Sequence, residues 1–561
     1  MESYIAKHKL YELIIPSTLI CMAGNLTAIF DSIFISTFIN TNALGAIQLL
    51  MPLISIIPVL EWMFGLGGQI ISLNKKAEFK EREGNAYFTL SVISVMVVSI
   101  IFTLFNFLDV EAVLTSLHAT PATIHYMRDY LPFLLINIPI TCFVSILTQF
   151  IRVDKKAKFA SFIIIVANII NIVLDVIFLY YFKIGVAGAS LASLIGYSVS
   201  AILIFKYFFD KNRTFKFVRI TGTIKSKIGK FINICKVGFP GASVELCFVI
   251  VAYFMNFVLT RTLHDPGLSM YAICEDALLV ISIVLVGFVE SLTSLTPIYY
   301  SQDDYKNVKF LFKRSVIVML GCSIAFTLFL IISPETFLGL YNIHSGNSNI
   351  VTYVNALRLF SITFILQALV TLLIFYYESI EKIILSGILS FVSIVIGPVL
   401  FTMFLLPVIG TNIIWLSFSF GCALALFLTY IAIKFNQRKE SKYKGILFIN
   451  EELIPNTRNY EIEPDNKIQM SEELIKHMKT LKINNEYCDI IRNIIDKVFE
   501  YNENNVDMEV LLIKYEDNVK INIKDDGKEN ILENIGDDFI TDEVKYNKII
   551  GLNSFELIIP N

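Results

Sequence analysis

Between residues 10 and 435 the chain is a succession of long apolar runs separated by short polar loops, and this pattern excludes most folds. The runs lie at roughly 10–39, 45–73, 86–108, 130–151, 157–181, 185–209, 231–260, 268–298, 315–337, 351–378, 383–405 and 411–435. Crossing ~30 Å of hydrocarbon takes about 20 helical residues, and each run meets or approaches that length. None alternates in polarity every second residue, so lipid-facing barrel strands are excluded and helices remain. The expected fold is therefore an all-α polytopic membrane protein with twelve transmembrane helices, followed by a small C-terminal α/β domain. Pro52, Pro58 and Pro139 fall inside runs, where membrane helices accept them as kinks. The first run is too long for the core of a cleavable signal and reads as a span.

Composition agrees: 55% of residues are apolar, 17% are charged and the mean hydropathy is +0.65. The net charge of −3 points to no nucleic-acid partner. Eight cysteines and six histidines are scattered without ligand spacing, which suggests neither a disulfide frame nor a zinc site.

Basic residues gather in alternate loops. One set holds Lys75, Lys76, Lys80 and Arg82, then Arg152, Lys155, Lys156 and Lys158, then Lys206 to Lys230, and later Lys306, Lys309, Lys313 and Arg314. The opposite set has little beyond Arg128, Lys183 and Arg261. The positive-inside rule places the basic set in the cytoplasm. An even number of spans then puts both termini there, in a multi-pass protein of the cell membrane in contact with lipid.

Two loop segments echo each other, Lys75–Lys80 and Ser301–Lys306, and Pro16 matches Pro240. Both echoes lie about 225 positions apart, half the membrane region. Six-span halves share one orientation, so a pseudo-two-fold axis along the membrane normal is expected. The divisions follow: 1–222 and 223–440 as two six-helix lobes enclosing a cleft, and 441–561 as a cytoplasmic domain.

Ionisable groups in hydrocarbon are costly and each needs a reason. Asp31, Asp175 and Ser193 fall at similar depth in spans 1, 5 and 6, and Asn168, Asn171 and Asp175 share one helix face. Carboxylates, amide oxygens and a hydroxyl at one level would suit a hard cation or a proton. Private pairing of each acid with a neighbour is the alternative. Glu61 and Glu245 fall near mid-membrane and, with Glu290, could line the cleft and meet a cationic solute; Glu275 and Asp276 read as nearer the outer surface. The positions that repeat Asp31 and Asp175 in the second half are apolar, confining the paired acids to the first.

Several segments resemble the multidrug and toxic compound extrusion (MATE) transporters over residues 8–435. They are Asp31–Phe34, Gly65–Gly68, Gln149–Asp154, Asn168–Asp175 and Gly185–Ser193, in that order and spacing. The resemblance implies an efflux antiporter in which Na⁺ or H⁺ entry drives export of small organic cations and hydrophobic xenobiotics. It also implies an ion site at Asp31, Asn171, Asp175 and Ser193, the last in place of a threonine. Binding there would bend or shift span 1. A lipid-linked saccharide flippase of the same superfamily is the alternative within transport; it would be expected to place Arg or Lys in the cleft, where this chain has acids.

The tail has its own pattern. Ser471–Thr480 reads as a short helix capped by Ser471, and 486–503 as an amphipathic helix. Val506–Tyr515 and Val519–Lys524 read as a hairpin, with further strand signals from Tyr546 to Ile559. The tail resembles the ATP-binding domain of anti-sigma-factor kinases and histidine kinases, with Asp525 and Gly527 at the adenine-reading box. The magnesium box is represented by Asp496 to Glu500, with an acid in place of the usual amide, and a second glycine after Gly527 is missing. The resemblance implies a degenerate, regulatory or nucleotide-sensing module for ATP and Mg²⁺, and a cytoplasmic regulatory protein as its partner. A membrane-tethered kinase and a generic α/β domain with a surface Asp-Asp-Gly turn stay open.

Overall fold

The computed structural model describes residues 4–77, 80–211, 213–344, 346–437, 443–503, 506–515, 518–527, 544–549 and 552–560. Among them, eleven helices are long and apolar enough to cross a membrane: α2 (Thr41–Lys76), α3 (Glu81–Leu108), α4 (Ile124–Asp154), α5 (Ala157–Tyr181), α6 (Val186–Phe209), α7 (Ile224–Thr262), α8 (His264–Ser301), α9 (Tyr305–Ile332), α10 (Ile350–Ser379), α11 (Ile383–Ile409) and α12 (Asn412–Phe435). Before them runs α1 (Tyr4–Phe38), 35 residues, about 52 Å at the helical rise. Eleven qualifying helices stand against the twelve expected, the first apolar run being the one that is not counted. Large apolar side chains such as Phe105, Leu108, Ile332 and Val408 are exposed, as they would be against lipid.

The helices bend where the sequence loosens their ladders. α2 breaks its α-pattern at Ser55, after Pro52 and before Pro58, and widens to a π-turn over Glu61–Leu66. A second π-turn covers Val176–Tyr181, immediately after Asp175. Such turns open the ladder by one residue and are frequent at functional positions.

Geometry recurs along the chain. Glu81–Leu108 and Tyr305–Ile332 each have 28 residues, and one starts at 81, the other at 305, 224 positions on. Left-handed residues repeat at nearly the same offset, His118 with Asn342 and Gly185 with Gly410, the glycines both at φ 78°. α1 packs along α8, and α2 along α7. At the α2–α7 crossing glycines bring backbones together: a Cβ on Gly238 would stand 2.0 Å from the Met63 carbonyl oxygen, and one on Gly67 would stand 2.4 Å from that of Ile234.

The tail differs from the α/β layering expected. Its sheet is wholly antiparallel, in the order β1 (Thr457–Ile462), β2 (Met508–Lys514), β3 (Asn518–Asp525), β5 (Leu552–Pro560), β4 (Val544–Ile549). Two helices, α13 (Lys467–Thr480) and α14 (Asn485–Tyr501), cover one face. With no parallel crossover this is an α+β arrangement. α13 starts a turn before the Ser471 cap that the sequence suggested, and Ser471 Oγ lies inside it. Ile491, Ile494, Ile495, Val498 and Phe499 of α14 pack on Val510, Leu512, Ile521 and Ile523. β2 and β3 are buried on both faces, because Leu511 and Ile513 pack into the core of the membrane region.

Candidate functional site

α1, α5 and α6 meet within the first half of the membrane region. Asp175 is completely buried at the end of the regular part of α5, and no donor reaches either of its carboxylate oxygens. The Asp31 carboxylate of α1 lies against it. With the Asn171 amide turned so that both ends are satisfied, Nδ2 donates to Asp31 Oδ1 at 3.0 Å. Its Oδ1 then accepts from Ser193 Oγ at 3.0 Å and from Ser193 N at 3.2 Å. Asn168 is buried one turn earlier on the same face. The structure thus brings Asp31, Asn171, Asp175 and Ser193 together, with Asn168 beside them. Two carboxylates in contact in a dry site cannot both stay ionised unless a cation separates them; otherwise one must hold a proton.

The α1 segment that carries Asp31 is held on its other sides. Phe30, Phe34 and Phe38 stack at 5.6–5.8 Å, and Phe38 meets Tyr180 of α5 at 5.5 Å. Ser32 hydrogen-bonds Asp276 of α8, which also accepts from Tyr341 Oη at 3.0 Å. Neighbouring Glu275 accepts from Gln48 of α2 at 3.0 Å. Asp276 is buried beside the Asp31 site, to which the sequence reading did not join it. The signal was present: two adjacent acids inside an apolar run.

The cleft candidates separate. Glu61, on the π-turn of α2, accepts from Gln149 Nε2 at 2.7 Å, which gives the Gln149–Asp154 segment its first role. Its second is Asp154, buried and accepting from Tyr207 Oη at 2.6 Å and Thr214 N at 3.1 Å. Glu61 and Glu245 lie within electrostatic reach of each other across α2 and α7. Glu290 of α8 is exposed and near Cys21 of α1, apart from that pair.

In the tail, Asp525 is buried at the end of β3 and accepts from Asn553 Nδ2 of β5 at 2.7 Å and from Gly527 N at 3.0 Å. A Cβ on Gly527 would stand 2.7 Å from Asn502 Oδ1 and 2.8 Å from Asp525 Oδ1, so Asn502 joins the group. The sequence reading missed Asn502 and Asn553. Asp496 is drawn instead to Lys467 of α13 at 2.8 Å, and Glu500 is exposed at the end of α14. Beside this corner, Asp507 N donates to Asp526 Oδ1 at 3.1 Å. Burial first, then Asp526, raises the Asp507 carboxyl above its usual range, while His8 of α1 draws it down.

Helices long enough to span, two halves of recurrent geometry and buried acids where α1, α5 and α8 meet give a multi-pass membrane architecture with a candidate ion site. Residues 16–177 match the MatE family model. The multidrug export protein MepA of Staphylococcus saprophyticus is 25% identical over 360 residues, covering 62% of this chain and 76% of that protein. Its counterpart in Staphylococcus haemolyticus is 24% identical over 314 residues, 52% of this chain and 68% of that protein. A multidrug resistance MATE family transporter of the MOP superfamily, in its inward-facing conformation, superposes with a TM-score of 0.69 at 17% identity, over 77% of this chain and 99% of that one. An outward-facing conformation gives 0.61 at 18% identity, over 78% and 97%. The chain is thus similar to MATE family exporters, and it shares its fold with the solved transporters along almost their whole length.

Proposed function

We propose that the chain is a secondary-active exporter of small organic cations and hydrophobic xenobiotics, driven by entry of Na⁺ or H⁺ at Asp31, Asn171, Asp175 and Ser193. The observation that carries this reading is Asp175, fully buried against Asp31 with both carboxylate oxygens lacking a donor. A bound proton, or a cation held by the two carboxylates with the amide and hydroxyl oxygens, satisfies them. Losing it would leave two charges in contact and favour a shift of α1. The similarity to MepA, named as a multidrug export protein, supports the cargo class, as do Glu61 and Glu245, two acids within electrostatic reach of each other on α2 and α7. A flippase of anionic lipid-linked sugars is less well served by acids there.

In this reading α1 is the twelfth span, 1–222 and 223–440 are the two lobes, and both termini with the domain at 441–561 are cytoplasmic. The corner formed by Asp525, Gly527, Asn502 and Asn553 is the place where the tail would take a nucleotide. Asp496 is held by Lys467, which leaves no assembled magnesium box, so a sensing role is favoured over ATP turnover.

The test is export of cationic dyes from vesicles under imposed Na⁺ or pH gradients. Asp175→Asn removes the charge that the coupling ion neutralises, so gradient-driven export should fall to background with the protein still in the membrane. Export at the unsubstituted rate would overturn the assignment.

A further inference from the structure

The tail does not hang free. The face of its sheet opposite α13 and α14 is polar, and it is seated on the turn between α8 and α9. Lys524 Nζ reaches Asp304 Oδ2 at 3.2 Å, with side chains 1% and 0% exposed. Asn522 Nδ2 donates to Gln302 O at 3.0 Å, and Gln302 Nε2 to Ser554 Oγ at 2.6 Å. Asn307 Nδ2 donates to Glu509 Oε1 at 2.8 Å, and Tyr515 Oη to Asp303 Oδ2 at 2.6 Å. The linker into the tail is held too: Tyr300, Tyr376 and Tyr377 donate their hydroxyls to the carbonyls of Phe448, Leu447 and Ile446.

The membrane region's own repeat makes this seat informative. Asp304 precedes α9 as Lys80 precedes α3, 224 positions earlier, with similar backbone angles at both (φ −80°, ψ 64° and φ −99°, ψ 60°). At this place in the repeat an aspartate stands where the first half has a lysine of the basic loop set, preceded by a second, Asp303 in the left-handed region. Asp304 caps α9, accepting from Asn307 N, and the two acids also meet Lys520 and Lys524 of β3.

The same strands lead to the other half of the molecule. Lys524 and Ser554, on the seat, are chain neighbours of Asp525 and Asn553, on the opposite face, because side chains alternate along a strand. Beside Asp525 lies the Asp507–Asp526 corner, within electrostatic reach of His8 near the start of α1. The tail is thus seated on α8 and α9, and its Asp507–Asp526 corner lies within electrostatic reach of the start of α1, the helix that packs along α8 and carries Asp31.

We propose that the tail is an intramolecular clamp: its polar sheet face, fastened by Lys524 to Asp304, holds the α8–α9 turn at the end of the helix along which α1 packs and restrains the exchange of conformations that transport requires. The seat suits a clamp that opens. Its charged and amide groups are rehydrated when it lifts, which offsets the exposure of Leu511 and Ile513 and, in the linker, of Phe448, Ile449 and Leu453. A body fastened at the end of α8, along which α1 of the other half packs, favours one arrangement over the other, and weakening it shifts the population toward exchange. The effect on export rests on the exporter reading; the seating does not.

The experiment uses the full-length chain in vesicles, with two readouts: protease protection of residues 443–455, and initial rate of cationic dye export. Asp304→Asn and Lys524→Met should each expose the linker to cleavage and raise the export rate at least threefold. The exchanged pair, Asp304→Lys with Lys524→Asp, should restore both protection and the unsubstituted rate. The clamp is overturned if either single variant keeps full protection, exports no faster or exports more slowly, or if the exchanged pair fails to restore protection. Unsubstituted vesicles that export nothing would overturn the exporter reading instead, and the seating would then be judged on protection alone.

Discussion

Ser193 reaches the proposed ion site through Asn171, whose amide passes its hydrogen bond on to Asp31. Ser193→Val, which has the shape of Ser193→Thr without a hydroxyl, leaves the Asn171 oxygen with the backbone N–H alone and removes one oxygen from the site. A hydrogen bond next to a charged group contributes about 1.5–3 kcal/mol, which is about ten- to a hundredfold in an equilibrium constant. The gradient required for half-maximal export should rise by that factor in Ser193→Val, whereas Ser193→Thr should stay within about twofold. Equal half-maximal gradients for the two variants would detach Ser193 from coupling. Most of this site was legible in the sequence for one reason: a carboxylate in an apolar run is expensive, so each stands out. Asp276 was left apart from this site. Its position beside Ser32 is set by the packing of α1 on α8, which residue counting cannot see.

Among the elements, α2 and α7 show how little side chain the crossing of two spans needs. Without a hydrophobic drive between helices in lipid, close approach depends on small residues, and here Gly67 and Gly238 let the backbones touch. Gly238→Ala adds a single carbon that would fall 2.0 Å from the Met63 carbonyl oxygen, so the helices must move apart. Overpacking of this kind costs about 1–3 kcal/mol. The detergent-solubilised variant should unfold several degrees lower than the parent in a thermal ramp, while Gly321→Ala, with nothing within 4 Å, should not shift. Coincident melting of both variants would remove the close crossing. The existence of the spans was written in their hydropathy, but the meeting of Gly67 with Gly238 was not, because glycines far apart in sequence carry no mark of partnership. The tail's helices and hairpin were legible from their periods. β1 was not, since Thr457–Ile462 carries Arg458 and Glu461 and reads as a loop. Nor was the seat: Val519, Ile521 and Ile523 alternate with Lys520, Asn522 and Lys524 as they would in a strand with one wet face, although that face is covered.

At the scale of the whole molecule, the bonds between helices α1–α6 and α7–α12 on the face opposite the basic loops describe a closed side. Ser269 Oγ donates to Thr41 O at 2.7 Å, Asn256 Nδ2 to Gln48 O at 2.8 Å, Ser36 Oγ to Tyr341 O at 2.7 Å, and Thr120 Oγ1 to Asp265 Oδ1 at 2.5 Å. Alternating access demands that these contacts part in every cycle. A Cβ on Gly45 of α2 would lie 3.1 Å from Ser269 Oγ of α8, a separation at which two cysteines can bridge without moving the backbone far. In a background whose eight native cysteines are replaced, Gly45→Cys with Ser269→Cys should cross-link under mild oxidation. Export should then stop, and a reductant should return it to the rate of the uncross-linked double variant. Each single cysteine variant should export at equal rates with and without oxidant, because neither can tie α2 to α8. Undiminished export by fully cross-linked protein would mean that the solute crosses without this face opening, which is incompatible with a cleft between the two sets of helices serving as its path.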